Sequence, residues 1–161
     1  MTGDDAGVVV VPDREAMHAY GTGLASVLHA GDLVVLTGPL GAGKTTLVQG
    51  IARGLGVRGD VTSPTFVIAR VHPSLGAGPA LVHADAYRVG DALELDALDL
   101  DASLDASVTV VEWGEGLAEA LSEDRLDVRI ERSTGDADET RWVRAVGVGP
   151  RWADVVLPTA D

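Results

Sequence analysis

The chain has 161 residues, 25 of them acidic and 12 basic, and a formal net charge of −13. The length argues for one domain over 1–161, and an apolar content of 46% is ordinary for a globular chain. So acidic a balance disfavours direct gripping of nucleic acid or docking on an anionic membrane surface, and the absence of cysteine removes disulfides, thiolate metal sites and cysteine nucleophiles together.

The first residues, Met1-Thr2-Gly3-Asp4-Asp5, carry no positive region ahead of an apolar stretch, so no secretory signal is expected. No apolar run approaches the roughly 18 residues that span a bilayer, and the expectation is a cytoplasmic protein. Val8 to Val11 is a β-branched run ended by Pro12 and reads as a strand. Asp13 is placed to cap a helix whose apolar positions Met17, Tyr20, Leu24, Val27 and Leu28 recur at three- and four-residue steps. After a turn at Gly31 and Asp32, the residues from Leu33 to Leu36 are continuously apolar, as in a parallel strand buried on both faces. A glycine-rich loop follows from Gly38 to Gly43. The next helix carries Leu47, Val48, Ile51, Ala52 and Leu55 on one face and stops at Gly56. Gly50 and Gly54 inside it each cost about 1 kcal/mol relative to alanine, which implies close packing, expected here against the sheet. Further strands are expected at 66–71, 81–83 and 108–111, and helical patterns near 93–104 and 117–121. Residues 126–132 and 141–146 flank a polar stretch and read as an antiparallel pair, while 73–79 is an irregular loop. Alternating strands and helices place the chain in the α/β class.

Gly38-Pro39-Leu40-Gly41-Ala42-Gly43-Lys44-Thr45 matches the pattern G-x-x-x-x-G-K-S/T without deviation. Glycines let the backbone turn tightly enough to aim successive N–H groups at phosphate oxygens. The helix beginning near Lys44 adds the positive end of its dipole. In such loops the lysine reaches the β- and γ-phosphates and the hydroxyl ligates magnesium, here Lys44 and Thr45. Lys44 is also the only lysine of the chain, the other eleven basic residues being arginines. Guanine-specific phosphate-loop proteins usually carry an Asn-Lys-x-Asp base reader. This chain has no asparagine and its lysine is already committed, so the expected ligands are ATP and Mg²⁺.

Two apolar runs end in acids, Leu81 to Asp85 and Val108 to Glu112. Ligands of open α/β sheets bind beyond the carboxyl ends of the strands, where both acids would lie. One could hold the magnesium shell while the other orients water; each could equally cap a helix or face solvent. Thr62-Ser63-Pro64-Thr65-Phe66 reads as a Ser-Pro turn entering a strand, with a γ-phosphate-sensing switch as the sharper alternative. The acids from Asp91 to Asp105 alternate with leucines and read as a solvated face. His83 precedes Asp85 by two residues and reads as a core histidine, or as one that orients something there. A small-molecule kinase with an Arg lid, drawn from Arg53, Arg58, Arg70 or Arg88, and a nucleotide-gated binding module are competing classes.

Taken in order, the run Leu36 to Thr46, then Thr62 to Phe66, then His83-Ala84-Asp85-Ala86-Tyr87-Arg88, then Glu112-Trp113 resembles the TsaE (YjeE-like) family of small bacterial ATPases required for threonylcarbamoyl-adenosine modification of tRNA. The resemblance runs from Pro12 to Trp152. It implies a P-loop NTPase-like three-layer fold, with a mostly parallel central sheet and an antiparallel C-terminal strand pair. It implies nucleotide contacts from Pro39, Leu40, Gly41, Ala42, Gly43, Lys44, Thr45 and Thr46, with Thr45 and Glu112 on magnesium. Asp85 would be the acid needed for hydrolysis, and the segment holding Thr65 the nucleotide-sensitive switch. The implied partners are TsaB and TsaD, which with a separate carbamoyl-adenylate synthase modify adenosine next to the anticodon. This chain would couple ATP hydrolysis to their turnover and meet tRNA only through the complex, which suits its acidity. Pro39 and Ala86 depart from the family pattern, which commonly has an acid and a bulky apolar residue there. The resemblance assigns no nucleotide contact to the C-terminal arginines, Arg141 among them.

Overall fold

The structure is a computed structural model and describes residues 8–39, 41–57, 69–85, 106–112, 124–132 and 139–158. The first strand, β1 (Val8–Val11), ends at Pro12, and Asp13 then caps α1 (Arg14–Ala25). The Asp13 carboxylate accepts from the Ala16 N–H at 2.8 Å, satisfying one of the donors a helix start leaves open. Strand β2 (Leu33–Thr37) leads into the glycine loop and α2 (Lys44–Leu55). That helix closes at Gly56, whose φ of 72° is the left-handed conformation glycine adopts without strain. The remaining strands are β3 (Ala69–His72), β4 (Ala80–Asp85), β5 (Ser107–Glu112), β6 (Arg125–Arg132) and β7 (Arg141–Val148), followed by a single helical turn at Pro150–Trp152.

The seven strands found among the described residues join one sheet in the order β1-β7-β6-β2-β5-β4-β3. The four central strands, β6, β2, β5 and β4, run parallel, and β6 and β7 form the expected antiparallel pair. Strand β3 pairs antiparallel with β4, and β1 with β7. The chain therefore has the α/β, P-loop NTPase-like architecture expected from its sequence. Strand β3 overlaps the expected strand over 69–71; the expected residues 66–68, and the helical patterns near 93–104 and 117–121, lie outside the described residues.

Side chains alternate across each strand. Val34 and Leu36 share a face with Leu81, Val108, Val110, Leu126, Val128 and Ile130, and this face packs against Met17, Tyr20 and Leu24 of α1 and Leu47, Val48 and Ile51 of α2. Leu33, Val35, Val82 and Val111 point the other way and are equally buried, so the centre of the sheet is buried on both faces. Among the described residues no helix is long and apolar enough to cross a membrane.

The two helices meet through glycine, and here one expectation is corrected. Gly50 and Gly54 serve close packing, but against α1 rather than the sheet. A Cβ on Gly50 would lie 2.3 Å from the His18 carbonyl oxygen, and one on Gly54 would lie 2.5 Å from the Ala25 Cβ. Gly21 of α1 answers them, since its Cβ would come within 2.5 Å of the Leu47 carbonyl oxygen. Two hydrogen bonds cross the same seam. Thr22 Oγ1 donates to the Gly50 carbonyl at 3.2 Å, and His18 Nε2 bonds Gln49 Oε1 at 2.9 Å. Behind α1, the Arg151 guanidinium donates to both Asp32 oxygens at 3.0 and 2.9 Å and to the Val27 carbonyl at 2.8 Å, tying the C-terminal segment to the turn before β2.

Candidate functional site

The phosphate loop is shaped by close backbone approaches. A Cβ on Gly38 would sit 2.9 Å from the Ile130 carbonyl oxygen of β6, so the loop leaves the sheet flush against the neighbouring strand. Gly41 and Gly43 have φ of 78° and 101°, which other residues rarely adopt. The Ala42 N–H donates to the Pro39 carbonyl at 3.1 Å and closes a tight turn. Leu40 lies outside the described residues. Gly43 caps α2 without a side-chain acceptor, so the first-turn N–H groups have no side-chain cap and form a ready anion site.

Lys44 is buried, 7% exposed, and its Nζ donates to the carbonyls of Gly38 at 2.6 Å and Pro39 at 3.1 Å. The ammonium is thereby folded back over the mouth of its own loop. Thr45 and Thr46 are half-buried on the first turn of α2.

Register brings the two acid-bearing strand ends to this loop. Glu112 ends β5 and pairs with Leu36 of β2, two residues before Gly38, and on its other side with Asp85 at the end of β4. Parallel strands in this register put both acid positions at the same edge as the phosphate loop, as the topology of open α/β sheets requires. Glu112 is buried and accepts from His83 Nε2 at 2.5 Å. His83 is thus a core histidine, and its described partner is Glu112. For Asp85 only the backbone is described, and Thr65 with the rest of 62–66 lies outside the described residues.

Two arginines with no role assigned from the sequence lie beside the loop. Arg132 and Arg141 face each other at the paired ends of β6 and β7. Arg141 Nη2 donates to the Gly41 carbonyl at 3.4 Å, and a Cβ on Gly41 would come within 2.8 Å of Arg132 Nη1. In a chain of net charge −13, the loop is bracketed by Lys44, Arg132 and Arg141. Beside it opens a cavity of about 180 Å³ lined by Asp13, Arg14, Met17, Gly41, Ala42, Gly43, Thr46, Glu139 and Arg141. A larger groove of about 540 Å³ crosses the β1, β7 and β6 strands near Trp142 and Arg144, and none of the loop residues line it. Of the two, the smaller cavity is the one that adjoins the loop.

The donors suit a magnesium ion shared with a bound phosphate. Among the described residues no group of three or more His, Cys, Asp or Glu side chains could hold a metal unaided. Magnesium asks for less, since it usually keeps several waters and takes one or two carboxylates plus substrate phosphates. The Glu112 side chain makes one hydrogen bond among the described residues, through Oε2, which leaves Oε1 uncommitted.

A family model described as threonylcarbamoyl adenosine biosynthesis protein TsaE matches residues 11–142. The chain is 65% identical over 139 residues to a Streptomyces coelicolor protein named tRNA threonylcarbamoyladenosine biosynthesis protein TsaE, covering 85% of this chain and 94% of the relative. A Mycobacterium tuberculosis protein of the same name is 51% identical over 144 residues, covering 84% and 86%. Among solved structures, Bacillus subtilis YdiB superposes with a TM-score of 0.70 at 31% identity, over 90% of this chain and 87% of that one.

Proposed function

The chain belongs to the TsaE family, and on that membership and the loop geometry we propose that it is a magnesium-dependent ATPase supporting threonylcarbamoyl modification of tRNA adenosine through a TsaB–TsaD-type partner complex. One observation carries the reading: a phosphate loop ending in a buried lysine lies in register with acid-bearing strand ends at Glu112 and Asp85.

The N–H groups of the loop and of the uncapped first turn of α2 cradle the phosphates. Lys44 exchanges its two carbonyl acceptors for phosphate oxygens. Thr45 and Glu112 hold the magnesium, which when bound neutralises phosphate charge during transfer. Asp85 orients the attacking water, and the segment carrying Thr65 senses the terminal phosphate. The cavity beside the loop takes the nucleoside, with Met17 supplying an apolar wall and Thr46 and Arg141 polar contacts. ATP rather than GTP follows from the absence of any asparagine for a guanine reader. The net negative charge favours docking on basic protein partners over contact with tRNA, and a cytoplasmic location belongs to the same proposal.

Phosphate release from ATP, measured with and without TsaB and TsaD proteins and beside a panel of phosphoryl acceptors, tests this. Hydrolysis stimulated by the complex is the expected result. Transfer to an acceptor, unaffected by the complex, would establish a small-molecule kinase instead. Nucleotide binding without turnover under either condition would establish a nucleotide-gated binding module.

A further inference from the structure

His83 and Glu112 form a buried pair that the phosphate loop does not need for its own shape. The His83 side chain is 0% exposed and that of Glu112 6% exposed, and Nε2 meets Oε2 at 2.5 Å. They stand on adjacent parallel strands. His83 is in register with Val110, so its ring reaches diagonally along the same face to the last residue of β5. Among the described residues the other ring nitrogen, Nδ1, is buried with no hydrogen-bond partner. A proton there would be a buried donor without an acceptor, whereas a proton on Nε2 is satisfied by the carboxylate. The tautomer is therefore fixed by the pair itself, and the ring has one polar task.

We propose that His83 is a positioning residue for the metal-binding acid, pinning Glu112 Oε2 through its Nε2–H so that Oε1 stays fixed for a nucleotide-bound magnesium ion. The inference rests on the reading of Glu112 as a metal ligand given above. A carboxylate at the end of a strand can otherwise turn about its side-chain torsions, and a hydrogen bond to one oxygen removes that freedom. Partners of this kind orient the ligating group, and their loss typically lowers metal affinity about 10–100-fold. His83 touches neither nucleotide nor phosphate in this scheme and acts only through Glu112.

Three substitutions in the full chain separate this role from packing. His83→Phe keeps a planar buried ring without a donor, His83→Leu removes the donor with a different shape, and His83→Gln keeps an N–H donor. The readout is binding of a fluorescent ADP analogue, titrated with Mg²⁺ and repeated in EDTA, with circular dichroism confirming the fold. Whichever donor-less variant folds should need roughly tenfold or more Mg²⁺ for half-saturation. Its affinity in EDTA should match wild type, and saturating Mg²⁺ should restore tight binding. His83→Gln should stay within about threefold of wild type. A folded donor-less variant with wild-type Mg²⁺ dependence overturns the proposal, as does a loss of affinity that is equal in EDTA and in Mg²⁺. A Glu112→Gln control separates the two levels. If it too leaves Mg²⁺ dependence unchanged, the assignment of Glu112 as a ligand falls and the role of His83 falls with it.

Discussion

Gly50→Ala sets two opposed effects against each other at the seam between α1 and α2. In an exposed helix this substitution stabilises by about 1 kcal/mol, because alanine loses less backbone freedom than glycine. Here the new Cβ would lie 2.3 Å from the His18 carbonyl oxygen, which is helix backbone and cannot swing aside like the end of a side chain. Ordinary contact requires α1 to retreat by roughly 1 Å. Overpacking of this kind costs about 1–3 kcal/mol. The retreat also stretches the Thr22 to Gly50 and His18 to Gln49 hydrogen bonds, each with a net value of about 1 kcal/mol. The penalty exceeds the propensity gain, leaving a net loss of about 2 kcal/mol. For a chain of this size that lowers Tm by roughly 4–8 °C. Urea unfolding should show a lower midpoint at unchanged m-value. Gly76→Ala is the internal control, since nothing lies within 4 Å of a Cβ there; it should be neutral or slightly stabilising. A Gly50→Ala protein at least as stable as wild type would refute the close-packing account of this seam.

Three further outcomes follow from the geometry. On the ATPase activity proposed above, Lys44→Arg should fold but lose about a hundredfold in turnover, because a forked guanidinium cannot replace a compact ammonium seated between the Gly38 and Pro39 carbonyls; steady-state phosphate release checks this, and wild-type turnover would contradict it. Arg151→Ala strips Asp32 of both guanidinium bonds while that carboxylate stays buried, and with Arg151 itself partly exposed the loss should be about 2–3 kcal/mol; a urea midpoint unmoved by the change would dismiss the clamp. Tyr20 has its pKa raised by burial from 10.0 to about 12, so the folded state holds this proton more tightly than the unfolded chain. The resulting stabilisation, up to about 3 kcal/mol, is complete below pH 10 and is lost as the pH rises toward 12. Tyr20→Phe should flatten that part of the stability profile, whereas an unchanged alkaline slope would assign it to other groups.

What could be read in the sequence was local. Asp13 announces a helix start and Gly56 a helix stop because each acts on backbone groups within a few residues of itself. The phosphate loop is legible for the same reason, since its glycines, lysine and threonine are consecutive. Illegible were the facts fixed by which elements meet. Glycine spacing in α2 signalled close packing, yet nothing local says whether a helix or a sheet fills the space. Arg132 and Arg141 reach Gly41 only because β6 lies beside β2, a pairing between segments far apart in the chain. The partnership of His83 with Glu112 likewise depends on the register of β4 against β5, and sequence proximity pointed to Asp85 instead.

The strand order also governs when the chain becomes competent during its own synthesis. β2 delivers the phosphate loop, but its neighbours are β5 and β6, and β1 finds its place only against β7. Pairings between such distant segments form slowly and late, after the entropy of closing a long loop has been overcome. A ribosome-bound chain that ends before β6 already contains every residue of the phosphate motif. It still lacks the Ile130 carbonyl against which Gly38 settles and both arginines that flank Gly41. The nascent chain thus carries the motif without its setting.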